Sequence, residues 1–555
     1  MLLRTTTFRI ITTGALLTSG AFAQLSSFPK PSYFRETFNK TQPKVELKDP
    51  VRLKDFVVGD KLELSLKDYL ALVVANNTDF QIQMLSLETP KNAIQRAFGA
   101  WDPRATAQFT STRATTPPTS ALDGSANAVK TLSQPLSMSV TQTLQEGLNY
   151  TVAWGGAKST SNSSFNNYNP ALSSNFAITF SQPLLQNRGT YVNRLSLMSA
   201  RSRLKGSQFN QTTQFINLLS QAENAYWDLV SARESLRVAV SAEGTADAFL
   251  KLQRRQLELG ALSPLDIYQA EQTYASRQLD VAQAKFRLAQ LEDALRKQIG
   301  ADLDAQARTL PIVLTETVEI PAGSDEAIDR DSMVAKALST RPDLKSAQQN
   351  IDVDDLSIQS ARNSLLPNLS LIGNYTVNGR GGVLVQRSNV FTDGVASSVL
   401  TSYPGGLGDA LDQMFGFGFT SYQMGLRLTL PIRNRAASAD MADAIVRKKQ
   451  DTLTVRNTQQ AIRLSVLNAV TNLESSRESV KLAKIALDYA EKNLEAANKK
   501  YELGTGLQLD VSNAQDRKVQ AESAVVSNLI QVRKNLINLL VQTGTLIDER
   551  GIVIQ

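Results

Sequence analysis

The sequence predicts an α+β membrane protein built from a duplicated unit, in which β-barrel strands are joined to very long coiled-coil helices. Three observations lead to this fold class. The chain contains one helical segment twice. Each copy carries apolar residues at the spacing of a coiled coil, and each is preceded by segments in which apolar and polar residues alternate.

The first 23 residues have the pattern of a secretory signal peptide. Arg4 and Arg9 precede an apolar stretch over residues 10–20, and residues 21–23 (Ala-Phe-Ala) form a small-x-small cleavage site. The alternative is an ordinary buried N-terminal helix. Because the stretch is too short to span a bilayer and the basic residues precede it, we expect an exported protein.

The composition argues against an enzyme. The chain contains neither Cys nor His, which excludes disulfides, thiolate or imidazole metal sites and imidazole acid-base chemistry. We therefore expect no catalytic residue, no metal site and no cofactor. The net charge of +7 is spread along the helices without a basic stripe that alternates with aromatics, so nucleic-acid binding is not expected.

Beyond the signal peptide, the chain has no run of about 18 apolar residues that could form a transmembrane helix. An exported chain that enters a membrane without such a helix must do so through a β-barrel, since every backbone polar group needs a partner in lipid. The membrane segments are therefore sought among alternating strands, each of which is a weak signal.

The duplication is visible at a fixed offset. Residues 257–260 (Leu-Glu-Leu-Gly) and 265–267 (Leu-Asp-Ile) return 244 residues later as 501–504 (Tyr-Glu-Leu-Gly) and 509–511 (Leu-Asp-Val). In each copy the Gly marks the bend of a helical hairpin. The expected organisation is a signal peptide (1–23), an N-terminal extension (24–65), a first repeat (66–300), a connector (301–331), a second repeat (332–544) and a C-terminal tail (545–555).

Each repeat has the same predicted order of short helix, strands, long helix, Gly bend and returning helix. The short helices cover residues 66–99 and 332–364, and residues 77–80 and 340–344 interrupt them at equivalent places. The segment that follows is about 20 residues longer in the first copy, because the offset between the copies falls from 264 to 244.

The long helices show coiled-coil spacing. Apolar residues recur in steps of three and four from Leu218 to Leu257, interrupted by Glu243 and Gln253, and again from Ile462 to Tyr501. The alternative, one amphipathic helix on a globular core, fails on length. About 65 residues at 1.5 Å each give roughly 100 Å, much longer than a compact domain.

Six segments with a period of two are candidate strands: 104–113, 135–143, 148–154, 175–182, 368–377 and 417–430. Pro183 and Pro431 end the two sets. Loops rich in polar residues are predicted over 114–130 and 155–173, a tight turn over 145–147, and one long Gly-rich loop over 378–416. Long loops alternating with a short turn are typical of outer-membrane barrels.

Together these features resemble the outer membrane efflux protein family of TolC-like channels, over nearly the whole mature chain. The resemblance rests on the duplication, on the strand-proline-helix order at residues 182–184 and 430–432, and on the paired Gly bends. It implies a homotrimer with one shared β-barrel in outer-membrane lipid, continued by a periplasmic α-barrel. It further implies a passive exit duct for efflux or type I secretion, coupled through a periplasmic adaptor protein to an inner-membrane transporter.

The resemblance also implies that the bends at Gly260 and Gly504 form the periplasmic tip, which carries the gate and the adaptor contact. Tyr501 falls on an aromatic residue that holds the tip closed. Asp510 falls on an acidic residue that faces the entrance, where three copies would form a negative ring. Asp266 falls on its acidic partner in the first hairpin.

This chain departs from the family pattern at two positions of the tip. Asn513 stands where a second acidic ring residue is expected, and Gly506 stands where a gate Arg is expected. These departures put the closed latch in doubt. A second interpretation of Asp266 and Asp510 is that they cap the helices that follow the bends.

Two questions stay open at this level. A periplasmic coiled-coil adaptor or structural protein would have similar helices but no membrane strands, and an adhesin would need many degenerate repeats and a C-terminal anchor. The family usually contributes four strands per chain, whereas this chain has six candidate strands. The alternative is that residues 135–154 form a hairpin outside the membrane.

Overall fold

The computed structural model describes residues 53–58, 60–118, 128–163, 166–260, 267–302, 307–319, 328–388 and 399–552. All of them belong to Arg52–Gln555, the larger of the two units of the chain. The predicted signal peptide and most of the predicted N-terminal extension lie outside the described residues.

The first repeat leads from short strands and helices through five further strands into a long helical hairpin. Its elements are β1 (Val57–Val58), β2 (Lys61–Leu64), α1 (Leu66–Asn76), α2 (Thr78–Leu85), α3 (Glu88–Phe98), β3 (Arg104–Phe109), β4 (Thr112–Thr116), β5 (Val129–Thr143), β6 (Asn149–Ser161), β7 (Tyr168–Pro183), α4 (Thr190–Asn193), α5 (Leu195–Glu258) and α6 (Ile267–Gln298).

The second repeat follows the same order, with a short helix inserted among its strands. Its elements are β8 (Ile312–Leu314), α7 (Arg330–Thr340), α8 (Pro342–Ser364), β9 (Asn368–Arg387), β10 (Val399–Tyr403), α9 (Leu407–Phe415), β11 (Phe419–Thr429), α10 (Arg435–Glu502), α11 (Gln508–Thr543) and α12 (Leu546–Glu549).

The predicted short helices are broken where the sequence indicated. Asn77 separates α1 from α2, and its side-chain oxygen caps α2 by accepting a hydrogen bond from the Asp79 N–H at 2.7 Å. Arg341 separates α7 from α8, and Pro342 occupies the first turn of α8, where its missing N–H costs nothing. A further break between α2 and α3 was not predicted.

The two long helices contain 64 and 68 residues, which corresponds to roughly 100 Å each. In α10 the predicted row of apolar residues, the seam of the coiled coil, is buried from Ile462 to Val480. In α5 the buried row departs from the predicted positions. Val238 and Ala242 are buried, whereas the strict repeat had placed Leu236 and Ala239 in the row. An α-helix with 3.6 residues per turn shifts its contact line when the sequence repeat is 3.5.

All six candidate strands lie in one antiparallel sheet, in the order β11-β9-β7-β6-β5-β3. Along the two edges, β10 continues the row of β11 beside β9, and β4 continues the row of β3 beside β5. The sheet therefore combines strands from both repeats.

The predicted loops were too long. The strands β5, β6 and β7 extend into the segments predicted as polar loops, and the predicted loop over 378–416 contains the end of β9, all of β10 and the helix α9. The sequence missed these extensions because they are rich in Gly, Ser and other small or polar residues. Such a segment has no period-two pattern of hydrophobicity.

The largest hydrophobic core joins the two repeats around a small sheet, in which β2 pairs with β1 and with β8. Tyr69, Tyr226, Leu295 and Ile537 are fully buried there and come from α1, α5, α6 and α11. This core fixes the hairpins against each other. None of the helices in the described part of the chain has the length and apolar character that a membrane crossing requires.

Candidate functional site: a two-faced sheet and two helix bends

One face of the large sheet is apolar across all six strands. Residues directly opposite each other in neighbouring strands share a face. One such row runs through Val140, Val152, Ile178, Tyr375 and Tyr422. The large exposed side chains on this face are Phe109, Met138, Val140, Ile178, Tyr375, Tyr422, Met424, Leu426 and Leu428. An exposed apolar surface of this extent needs a cover.

The opposite face is mostly polar, although Phe419 and Ile372 also lie on it. The row next to the one above runs through Arg104, Thr141, Thr151, Thr179, Asn374 and Gln423. Over the part of the sheet that lies level with Asn368–Arg380 of β9, all charged side chains on this face of the described strands are arginines. They are Arg104, Arg380 and Arg427. The two faces of the sheet therefore differ in polarity.

The span of the sheet fits a membrane crossing. The strand β11 pairs with β9 over its whole length of 11 residues, and the exposed apolar side chains cover this span. A transmembrane β-strand needs about 9–11 residues when it is tilted.

The tight turn at residues 145–147 lies at the helical end of the sheet. Gln145 Oε1 accepts a hydrogen bond from Arg194 Nε at 2.8 Å, and Glu146 O accepts one from the Gly189 N–H at 3.3 Å. Both donors belong to the segment that leads from β7 into α5. The strands on either side of the turn, β5 and β6, are interior strands of the sheet, paired with β3 and β7. Residues 135–154 are therefore an integral part of the sheet.

Both bends contain Gly in the left-handed region, with φ +72° at Gly260 and +71° at Gly504. In each bend the Gly N–H donates to the carbonyl group three residues earlier, Leu257 O or Tyr501 O, at 2.9 Å. Added Cβ atoms would meet nothing within 4 Å, so the requirement for Gly is conformational rather than steric.

Tyr501 joins the two hairpins. Its hydroxyl group accepts a hydrogen bond from Gln253 Nε2 at 2.9 Å and donates one to Gln256 Oε1 at 3.3 Å. Gln253 is fully buried, and its Oε1 has no hydrogen-bond partner among the described residues. The sequence signalled Gln253 only as an interruption of the apolar repeat, and its role as the partner of Tyr501 was missed.

The acidic and amide residues of the second bend lie on one exposed side of α11. Asp510 and Asn513 are exposed and one turn apart, whereas Val511 and Ala514 are buried. Asp510 Oδ2 also accepts a hydrogen bond from the Leu507 N–H at 3.4 Å, which is the capping contact of the second interpretation. Asp266 lies outside the described residues.

Gly506 closes the second bend against the preceding helix. Its N–H donates to Lys500 O at 3.0 Å, and an added Cβ would lie 3.0 Å from Lys500 Cβ and from Tyr501 N. A Cβ here would be crowded against the preceding helix, which favours a residue without a side chain. The packing therefore accounts for Gly at the position where the family pattern has Arg.

A second contact between the hairpins was not predicted from the sequence. Arg277 on α6 forms an ion pair with Asp516 on α11 and another with Asp280 on its own helix at 3.0 Å. Arg277 is mostly buried, so the cross-hairpin pair is less screened than a surface pair. Within the described residues no group of three or more Asp or Glu side chains could hold a metal ion.

The fold is that of known outer-membrane channels. The solved structure of the Campylobacter jejuni CmeC outer membrane channel superposes with a TM-score of 0.59 at 16% identity, covering 92% of each chain. Two curated relatives are similar in sequence. They are the probable efflux pump outer membrane protein TtgC of Pseudomonas putida, 20% identical over 355 residues, and the pyoverdine export outer membrane protein OpmQ of Pseudomonas aeruginosa, 22% identical over 339 residues.

The sequence match covers 64% of this chain and 65% of TtgC, and 61% of this chain and 60% of OpmQ. The family model described as outer membrane efflux protein matches residues 333–545. Residues 333–545, in the second repeat, thus match an outer membrane efflux protein domain, the family that the sequence resembles.

Proposed function

We propose that three copies of this chain form an outer-membrane exit duct. The observation that carries this proposal is the large sheet, with one apolar and one polar face and with two edges, β3 and β11, that pair with no further strand among the described residues. These edge strands run in opposite directions along the sheet, so the β3 edge of one copy can pair antiparallel with the β11 edge of the next. In lipid such an edge must be paired.

Six strands do not enclose a passage, because barrels of eight strands are already filled by side chains. Three copies would bring about 18 strands into one barrel, with the apolar face toward lipid and the polar face toward the pore. This barrel is wider than that of a channel with four strands per chain. The exposed apolar face also argues against an adaptor or structural protein without a membrane barrel.

The helical hairpins would continue the duct through the periplasm. Their length of roughly 100 Å suits a periplasmic tube, and the bends would form its inner entrance. Large apolar side chains are exposed at these bends, namely Leu259, Leu503 and Leu507. We propose that they contact a periplasmic adaptor protein linked to an inner-membrane pump, with Tyr501, Asp510 and Asn513 at the entrance.

The orientation of the sheet can be tested at residue 146, in the turn beside the helices. Because the chain has no Cys, Glu146→Cys provides a single labelling site. We expect the Cys to be protected from a membrane-impermeant reagent on intact cells and labelled once the outer membrane is opened. Labelling of intact cells would refute the six-strand arrangement.

The assembly can be tested separately by gel electrophoresis of outer-membrane fractions. We expect a heat-modifiable trimer band. A folded monomer in detergent with the full helical signal, and no trimer at any concentration, would refute the shared barrel.

A further inference from the structure

We propose that α9 is a membrane-interface helix, which lies on the outside of the barrel and inserts its exposed Phe415, together with Phe417 just beyond its end, between the lipids of the outer leaflet. This inference rests on the proposed function, because it takes the apolar face of the sheet as the lipid face. It adds a lipid-binding element to the channel.

The first argument is the place of α9 in the sheet. The edge beside β9 is formed by β10 at Leu384–Arg387 and by β11 at Asn368–Asn378. Between these stretches α9 replaces the edge strand. Its Gln413 Oε1 accepts the N–H of Arg380 at 3.0 Å, which satisfies a donor that the missing strand leaves free.

The second argument is the face that α9 covers. Added Cβ atoms on Gly379 and Gly381 would collide with the carbonyl oxygens of Ala410 and Gly406, so these glycines admit the helix backbone. Gly379 lies opposite Ser174 in the sheet, and Ser174 Oγ contacts Met414 Sδ at 3.2 Å.

These positions belong to the apolar face. Gly379 and Val377 are two residues apart on β9, and Val377 lies opposite Phe176, which lies opposite Trp154. Residues two apart on a strand point to the same side. The helix therefore rests on the face assigned to lipid, and the polar face remains open.

The third argument is the height of α9. The glycines under the helix follow directly after Asn378, where the 11-residue pairing of β11 with β9 ends. Since this pairing has the length of one membrane crossing, α9 lies at the boundary between hydrocarbon and headgroups.

The fourth argument is the chemistry of its surface. Ala410 and Met414 are buried against the sheet, whereas Leu407, Phe415 and Phe417 are 43%, 72% and 62% exposed. Phe417 has φ +54°, a conformation that is costly for a bulky residue. A Gly would adopt it readily, so an exposed Phe here carries a backbone strain that Gly would avoid.

The helix carries Asp409 and Asp412 and no Lys or Arg. Asp409 Oδ2 accepts the Gly406 N–H at 2.7 Å and so caps the helix start. With no basic residue to attract anionic headgroups, the contact with lipid is apolar, and it should be insensitive to salt.

The test uses Phe415→Cys and Phe417→Cys in the Cys-free chain, each labelled with an environment-sensitive fluorophore in proteoliposomes. Lipids that carry a quencher near the headgroup should quench both labels several-fold more than aqueous iodide does. Lipids with the quencher near the chain end should act less. High salt should leave the pattern unchanged.

Two positions on β11 serve as controls for the proposed function. A label at Leu426→Cys on the apolar face should be quenched by deep lipid quenchers, and one at Gln423→Cys on the polar face by iodide. If residues 423 and 426 show the same quenching pattern, the proposed two-faced barrel is wrong. The assignment of α9 to the membrane interface is then wrong as well.

If residues 423 and 426 show different quenching patterns, the labels at residues 415 and 417 test α9 independently of the proposed function. Labels at residues 415 and 417 that follow the iodide pattern of residue 423 would place α9 in water and overturn the inference. The labels could instead be protected from both quenchers in the trimer and become accessible when the trimer dissociates. This result would also overturn the inference, because it would show that a second copy covers the helix.

Discussion

The Tyr501 hydroxyl group and Gln253 Nε2 form a hydrogen bond of 2.9 Å between residues 248 positions apart, at the level of the two helix bends. Gln253 occupies an otherwise apolar seam and is fully buried. An amide in such a place is stable only while its partner is present. The contact therefore makes the position of one hairpin depend on the other.

Removing Tyr501 or Gln253 from this hydrogen bond should change the stability by different amounts. Tyr501→Phe leaves the buried Gln253 amide without its acceptor and should cost about 1–3 kcal/mol of stability, whereas Gln253→Leu restores the apolar seam and should be nearly neutral. In planar bilayers both variants should increase single-channel conductance, because both separate the hairpins.

A matched control is Tyr274→Phe, which removes a hydroxyl group bonded within α6 to Gln278 Nε2 at 2.9 Å. It should leave the conductance unchanged. If all three variants had the same conductance as the parent channel, the Tyr501 contact would not restrict the opening of the entrance.

Substituting the bend glycines by Val should destabilise each bend by about 1–2 kcal/mol, since a residue with a Cβ is strained at positive φ. Gly260→Val and Gly504→Val should also impair export, measured as drug susceptibility or secretion. Gly244→Ala is the control, because Gly244 lies inside α5 with open space around it and should stabilise the helix by up to about 1 kcal/mol. Normal export in both Val variants would argue against the tip assignment.

Charge at the entrance can be measured by cation block. Asp510→Ala should weaken block by multivalent cations in planar bilayers, because three copies of Asp510 would form a ring of carboxylates. Asn513→Asp adds a second exposed carboxylate one turn away on the same side of α11 and should strengthen block. Asp266→Ala should change it less. Equal effects of the two Ala variants, or none, would favour the capping role.

The buried Asp354 should make stability depend on pH. This side chain on α8 is 4% exposed, and burial, the facing Asp451 on α10 and the neighbouring Asp355 raise its pKa from 3.8 to about 6, although Arg447 opposes the shift. The folded state therefore binds a proton more tightly than the unfolded state. Stability should fall as the pH rises from about 4 to about 6 and then level off.

The test of this pH dependence is Asp354→Asn, which mimics the protonated acid. It should remove the slope and raise the thermal stability at pH 7, on the order of 1–3 kcal/mol. The comparison is Asp355→Asn, which removes only the smallest of these causes and should keep most of the slope, since Asp355 is 53% exposed and pairs with Lys448 at 2.5 Å. A steeper slope in Asp354→Asn would contradict the assignment.

Much of this fold could be predicted because its signals are local or repeated. The seam from Ile462 to Val480 follows from heptad spacing, and the helix breaks at Asn77 and Arg341 follow from capping and Pro. The strand extensions could not be predicted, since Ser, Thr and Asn residues that pair in β6 and β7 look like loop sequence.

The sequence by itself determined the duplication, the long helices, the two Gly bends and the alternation of the strands, because each depends on residues a few positions apart. Only the tertiary structure decided that β5 and β6 lie inside the sheet, that Gln253 meets Tyr501, and that α9 covers Gly379. These contacts join residues far apart in the chain. Their partners are set by sheet register and helix packing, which no local pattern encodes.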